Sequence, residues 1–135
     1  MTFADSTSTC LRKYFVFEGR ASKEEFWFFL LFTVIYGFVI GFAVGMSGAS
    51  QDTMDVVIGL LILPIMIPYL AVTARRLHDF NNSGWMQLIF IPGWFADELL
   101  GTGWVIWWIT FIFFAVYVSQ NPTKGKNRFG LNTRK

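Results

Sequence analysis

The apolar residues of this chain fall into four runs separated by short polar or charged stretches. The first runs from about Phe26 to Met46. The second runs from about Met54 to Ala74. Roughly twenty residues at about 1.5 Å each cross a hydrocarbon core of about 30 Å, so each of these is long enough for one crossing. The third begins at Trp85, is interrupted at Pro92-Gly93 and continues weakly to Leu100. The fourth runs from Trp104 to about Val118. Each of the last two is about fifteen residues, which is short for a full span. The pattern predicts an all-α membrane protein with four hydrophobic segments arranged as two helical hairpins. Two short crossings over 85–119, or a re-entrant hairpin, both fit.

Local signals refine the boundaries. Ser22 and Glu25 have capping-box spacing, and Glu24 and Glu25 suit the positive end of a helix, so a helix should start at about Lys23. Ser47 to Thr53 reads as a small polar turn. Pro64 and Pro68 lie inside the second run, where a membrane helix tolerates them with a kink. Phe80-Asn-Asn-Ser-Gly84 is a turn by composition, with Asn82 or Ser83 available as a cap. Met1 to Thr9 is polar, and Cys10 to Phe17 is a basic-aromatic stretch suited to the interface plane. The first apolar run is too long for a signal-peptide core, which favours an uncleaved anchor.

Charge sharpens this picture. All eleven Lys and Arg residues fall into three clusters. These are Arg12, Lys13, Arg20 and Lys23; Arg75 and Arg76; and Lys124, Lys126, Arg128, Arg134 and Lys135. Acidic turns sit midway through the two gaps between them, at Asp52 and Asp55 and at Asp97 and Glu98. Under the positive-inside rule the basic clusters share the cytosolic side. One membrane domain over 1–135 is expected, with a cytosolic segment at 1–22 and a cytosolic basic tail at 120–135. The chain is 54% apolar, 19% aromatic and 15% charged, against about 25% charged in soluble domains. The net charge of +2 matters only through its segregation, which points to anionic lipid headgroups and not to nucleic acid. A single cysteine, Cys10, can form neither an intrachain disulfide nor a zinc site alone.

Gly37, Gly41 and Gly45 recur every four residues in the first run, the pattern of a helix-packing face. That face suits a helix of this chain, a second copy or another membrane protein. Trp27 and Trp85 sit where interfacial anchors belong.

Three blocks resemble the YhaH-like family of small bacterial inner-membrane proteins, which has no assigned biochemical function. They are Gly19-Arg20-x-x-Lys23-x-Glu25-Phe26-Trp27, Arg75-Arg76-Leu77-His78-Asp79 followed by Ser83-Gly84-Trp85, and Gly125-x-Asn127-Arg128-Phe129-Gly130. The resemblance covers about Tyr14 to Gly130. The family usually places a basic residue before the Ser-Gly-Trp, where this chain has Asn82. A second aromatic often follows the Trp, where this chain has Met86. The stretch Ala96 to Gly103 is extra length. The resemblance implies an inner-membrane location with several spans.

Candidate chemistry concentrates at the end of the second run. On a helix, Arg75, Arg76, His78 and Asp79 share a patch at i,i+3 and i,i+4 spacing. With Arg20, these residues are candidates to bind a phosphate-bearing ligand, since arginine suits bidentate phosphate recognition. Glu25 is a candidate charge partner, and the two motifs are expected to meet at one membrane depth. Anchoring to lipid phosphates explains the same residues more simply. His78 with Asp79 could perform acid–base chemistry, but no nucleophile accompanies them by motif. No phosphate-binding loop, haem motif or metal-ligand spacing is present, so no cofactor or metal is expected. The span centres carry no ionisable residue, which argues against a proton-coupled transporter. Gly125 to Gly130 reads as a turn docking the tail. The leading reading is a non-enzymatic inner-membrane protein whose basic motifs converge on one binding surface. A small transporter or lipid-handling protein with a cavity near the Pro-kinked segments is the first alternative. A membrane-edge enzyme using His78 and Asp79 is the second.

Overall fold

The computed structural model describes residues 1–92, 101, 103–121 and 123–131. The later part of the third segment, the turn at Asp97 and Glu98, and the last basic pair Arg134 and Lys135 lie outside the described residues. Every regular element among the described residues is helical. These are α1 (Phe3–Arg12), α2 (Lys23–Gly45), α3 (Gln51–Asp79), a 3-10 helix (Gly84–Phe90) and α4 (Gly103–Ser119). The chain divides into two units: Met1–Phe17 with Glu24–Val72, and Glu18–Lys23 with Thr73–Lys135.

The first unit holds α1 and the long apolar stretches of α2 and α3. Both long helices have the length and hydropathy to cross a membrane. Large apolar side chains such as Phe38, Phe42 and Leu60 are exposed along them. Patches of that extent are costly in water and ordinary against lipid. α2 starts at Lys23 as its acidic first turn predicts.

α3 runs unbroken through Pro64 and Pro68. Each proline lacks the N–H that would bond the carbonyl four residues back. For Pro68 that carbonyl belongs to Pro64, and the Tyr14 hydroxyl donates to it instead. Close by, the Tyr36 hydroxyl donates to the Leu61 carbonyl at 2.9 Å. The carbonyl that Pro68 leaves open is therefore satisfied by a tyrosine outside α3, as an apolar solvent requires.

α1 is a difference from the sequence reading, which placed only a polar start there. Its serines and threonines are poor helix formers because their hydroxyls compete for the backbone. Here the competition is turned inward. Ser6 and Thr7 donate to carbonyls four residues back, and Ser8 to one three back. Thr2 and Asp5 close a reciprocal capping box. The Thr2 hydroxyl bond, chiefly, holds the Asp5 carboxyl below its usual range. Tertiary contacts complete the helix: Phe3 meets Phe28 edge-on at 6.2 Å, and the buried Cys10 thiol donates to Glu25 at 3.7 Å.

Along the glycine ridge the backbone leaves open space: a Cβ built on Gly37, Gly41 or Gly45 meets nothing within 4 Å. Gly37 lines a cleft shared with α3, and Gly41 and Gly45 are exposed.

In the second unit, α3 ends at Asp79 in a Schellman arrangement. The Asn82 N–H bonds the Leu77 carbonyl at 3.2 Å and the Asn81 N–H bonds that of His78 at 2.9 Å. Asn81 takes the left-handed conformation this stop requires, with φ of 64°. The Ser83 hydroxyl then accepts from the Trp85 N–H, so Ser83 is the cap. The third segment opens as a 3-10 helix over Gly84–Phe90 rather than an α-helix. Phe90 packs on Trp107 and Phe114 of α4.

Tyr14→Phe removes the hydroxyl that covers the Pro64 carbonyl. An unsatisfied buried polar group costs about 1–3 kcal/mol. We expect a loss in that range by thermal or denaturant unfolding in detergent, while Tyr14→Trp, which keeps an N–H donor, loses less. No change in Tyr14→Phe would mean the carbonyl needs no partner.

Candidate functional site

α3 ends where Asp79 places its carboxylate between two guanidinium groups. Arg20 Nε donates to Oδ1 at 2.6 Å and Arg76 Nη1 donates to Oδ2 at 2.6 Å. All three side chains are essentially inaccessible, at 1% exposure or less. Arg76 and Asp79 meet because i,i+3 neighbours share a helix face. Arg20 comes from a segment 59 positions earlier, fixed beside α3 by the Ala21 N–H bonding the Arg75 carbonyl at 3.1 Å.

The remaining guanidinium donors go to the backbone of the tail. Arg20 Nη1 donates to the Gly125 carbonyl at 2.8 Å and Nη2 to the Thr123 carbonyl at 2.9 Å. Arg76 Nε and Nη2 donate to Val118 at 3.0 and 2.6 Å, and Nη2 also to Gln120 at 2.9 Å. Every guanidinium nitrogen of both arginines is engaged. Val118 and Gln120 lie at the C-terminal end of α4, where the helix dipole is equivalent to roughly half a negative charge, so their carbonyls favour the Arg76 cation as well as accepting its hydrogen bonds. Burying charges costs several kcal/mol per ion, and complete pairing of this kind is what makes that tolerable.

The tail is then threaded over the end of α3. Thr123 donates its N–H and its hydroxyl to the Asp79 carbonyl at 3.2 and 2.9 Å. Asn127 Nδ2 donates to the His78 carbonyl at 2.9 Å. Asn127 and Gly130 exchange main-chain bonds at 3.0 and 3.1 Å, closing a tight turn. Gly125 and Gly130 both have positive φ, 74° and 127°, which glycine adopts without strain. The turn carries Phe129 onto His78, face to face, with ring centroids 3.8 Å apart.

His78 Nδ1 lies 3.1 Å from the Gly19 carbonyl. A carbonyl only accepts, so Nδ1 carries the proton and Nε2 bears the lone pair when the ring is neutral. Burial holds the His78 imidazolium below its usual range. The Arg128 charge acts the same way, while the Gly19 bond and Glu18 oppose it. Gly84 closes the far side. A Cβ there would lie 2.8 Å from the Ala74 Cβ and 3.5 Å from His78 Nε2, so only glycine lets the turn sit this close.

Arg20, Arg76, His78 and Asp79 are thus brought together. Arg75 is buried with them, and its carbonyl holds Ala21. Glu25 is buried in the first unit, against Cys10. Trp85 is exposed and Trp27 half-buried. His78 and Asp79 do not form a dyad: both Asp79 oxygens serve arginines and His78 serves Gly19. The acceptors at Val118, Thr123 and Gly125 are main-chain atoms and leave no signature in the sequence. Phe129 and Asn127 lay inside the third block, and the turn there does dock the tail.

All three sequence blocks contribute to this one clasp, and each contributes its glycines as well as its charges. The profile of the family described as protein of unknown function, DUF805, matches residues 14–131. This chain belongs to that family. It is 33% identical over 124 residues to the Escherichia coli K12 inner membrane protein YhaH, covering 89% of this chain and 88% of that one. It is 31% identical to the inner membrane protein YhaI of the same strain, over 89% and 87%. It is 27% identical to the uncharacterized protein YiiR, also over 89% and 87%. No solved structure matches. With the two long apolar helices, these relatives make the chain an integral membrane protein of the inner-membrane type.

Removing one partner from a buried ion pair costs about 3–5 kcal/mol because the other charge stays buried. We expect Asp79→Ala to destabilise by about that much. The Arg20→Met, Asp79→Ala double variant should cost less than the sum of its singles, by about 0.5–3 kcal/mol. Unfolding in detergent measures the cycle, and strictly additive costs would contradict the pairing.

Proposed function

We propose that this is a non-enzymatic inner-membrane protein whose clasp presents a basic turn to anionic lipid headgroups at the cytosolic face. The observation that carries this reading is the division between the basic residues. Arg20 and Arg76 are buried and fully committed, so they frame the site. Lys124, Lys126 and Arg128 on the docked turn are exposed. A phosphate reaching Arg20 or Arg76 would have to displace both Asp79 and the tail. A phosphate reaching the exposed turn displaces only water. The membrane arrangement that goes with this reading is four crossings in two hairpins, with both termini cytosolic. The segregated basic clusters support it.

A small transporter or lipid-handling protein is the second reading, and one observation favours it. A cleft of about 180 Å³ lies between α2 and the proline-bearing part of α3, lined by Thr33, Tyr36, Gly37, Ile62, Met66 and Tyr69 among others. Its lining is chiefly apolar, which suits an acyl chain better than a polar solute.

Lys124→Gln with Lys126→Gln tests the leading reading, because neither lysine is part of the buried frame. Each basic residue near an anionic surface contributes about 1 kcal/mol. The double variant should bind phosphatidylglycerol roughly tenfold less well, or weaker still, by native mass spectrometry of the detergent-purified protein. Binding of phosphatidylcholine should stay unchanged. Equal retention of phosphatidylglycerol by variant and parent would contradict the proposal.

A further inference from the structure

His78 is the one histidine in the chain, and it stands where the three blocks meet. Its Nδ1–H holds the Gly19 carbonyl, its ring lies flat on Phe129, and its carbonyl holds Asn127. The tail therefore covers the imidazole directly. We propose that His78 is a proton-operated latch: its neutral form holds the tail turn 123–130 in place, and protonation releases that turn with Lys124, Lys126 and Arg128. This goes beyond the lipid reading and does not depend on which ligand the turn meets.

In the neutral ring Nε2 bears a lone pair and lies beside Gly84. Among the described residues nothing is hydrogen-bonded to it. Protonation adds an N–H there, beside Gly84 and with no acceptor among the described residues. An N–H without an acceptor in a partly desolvated site is unfavourable.

Charge acts in the same direction. From the tail, Arg128 faces the ring, and its guanidinium lies 4.7 Å from the Phe129 centroid. From the segment before Gly19, Glu18 opposes it. The 3-10 helix Gly84–Phe90 carries no charged residue. On α3 the neighbours are Arg75, Arg76 and Asp79, and Asp79 is already shared by two arginines. An imidazolium would therefore meet repulsion from Arg128, which the tail turn itself carries. Stacking on Phe129 favours a cation modestly, and so does the Gly19 bond. Burial outweighs both, and the direction of the shift at His78 agrees.

Linkage then fixes the sign. The docked state lowers the affinity of His78 for a proton, so a proton lowers the affinity of the clasp for its tail. The docked pKa lies below the ordinary value of about 6.5, so docking is fully stable above that value. Stability is lost as pH falls below about 6.5 toward the docked pKa. Each unit of displacement weakens docking about tenfold. Asp and Glu titrate near 4, so a window from about pH 7.5 to 5.5 isolates the histidine.

The test uses the full chain in lipid nanodiscs. Amide exchange at Thr123, Asn127 and Gly130, corrected for intrinsic rates, should lose about five- to tenfold protection on going from about pH 7.5 to 5.5 for a displacement of one unit or more. His78→Gln keeps a donor for Gly19 and cannot charge, so its protection should be flat across that window. Unchanged protection in the parent, or an equal loss in His78→Gln, would overturn the latch. A second measurement stands apart from the folding of that variant. As the sole histidine, His78 gives one assignable imidazole signal by NMR. Its pKa should lie below about 6.5 in the parent and rise toward that value in Phe129→Ala. A pKa at or above it, or one indifferent to Phe129, would equally overturn the proposal.

Discussion

One carboxylate shared by two guanidinium groups is the constraint on which the second unit depends. Asp79 takes Arg20 on one oxygen and Arg76 on the other, both at 2.6 Å. Without it the two cations would repel each other in a site that excludes water. With it they become a rigid frame, each with its remaining donors aimed outward from one point. Those donors meet main-chain carbonyls of the tail. The tail is therefore held through its backbone, and what its sequence must supply is conformation: glycine at 125 and 130, and an asparagine at 127 to close the turn. Arginine is needed for this and lysine would not serve, since a planar five-donor fork reaches several acceptors at once.

The same logic governs the apolar part of the molecule. In lipid every polar group must find a partner within the protein. Pro68 leaves the Pro64 carbonyl without its helical donor, and Tyr14 supplies one. In both units a charge or a dipole that water would ordinarily satisfy is satisfied by a side chain distant in sequence.

Much of this was legible in the residues, and what was not has a physical reason. The long helices followed from run length, and α2 and α3 cover the expected spans Phe26 to Met46 and Met54 to Ala74. The grouping of Arg75, Arg76, His78 and Asp79 followed from helical spacing. The meeting of Arg20 with Asp79 followed from the cost of leaving either charge alone at a membrane edge. α1 was missed because its hydroxyl residues score as turn formers, and its stability comes from Phe28 and Glu25 far along the chain. The expectation that the arginines face a ligand treated their charge as available. Their burial could not be seen in the sequence because their partners are backbone carbonyls, which any residue carries. The 3-10 geometry at Gly84 reflects the close approach to Ala74, a contact between neighbours in space alone.

The most direct measurement of the central claim is the exchange of the arginine side-chain Nε–H protons by NMR. Arg20 and Arg76 should each show a slowly exchanging Nε–H, shifted by its acceptor, while Arg12 exchanges at the rate of a free guanidinium. Asp79→Asn, which keeps shape and removes charge, should speed exchange at Arg20 and leave Arg12 unchanged. Nε–H exchange at Arg20 and Arg76 as fast as at Arg12 would contradict the account, because neither the carboxylate on Arg20 nor the Val118 carbonyl on Arg76 would then hold the frame.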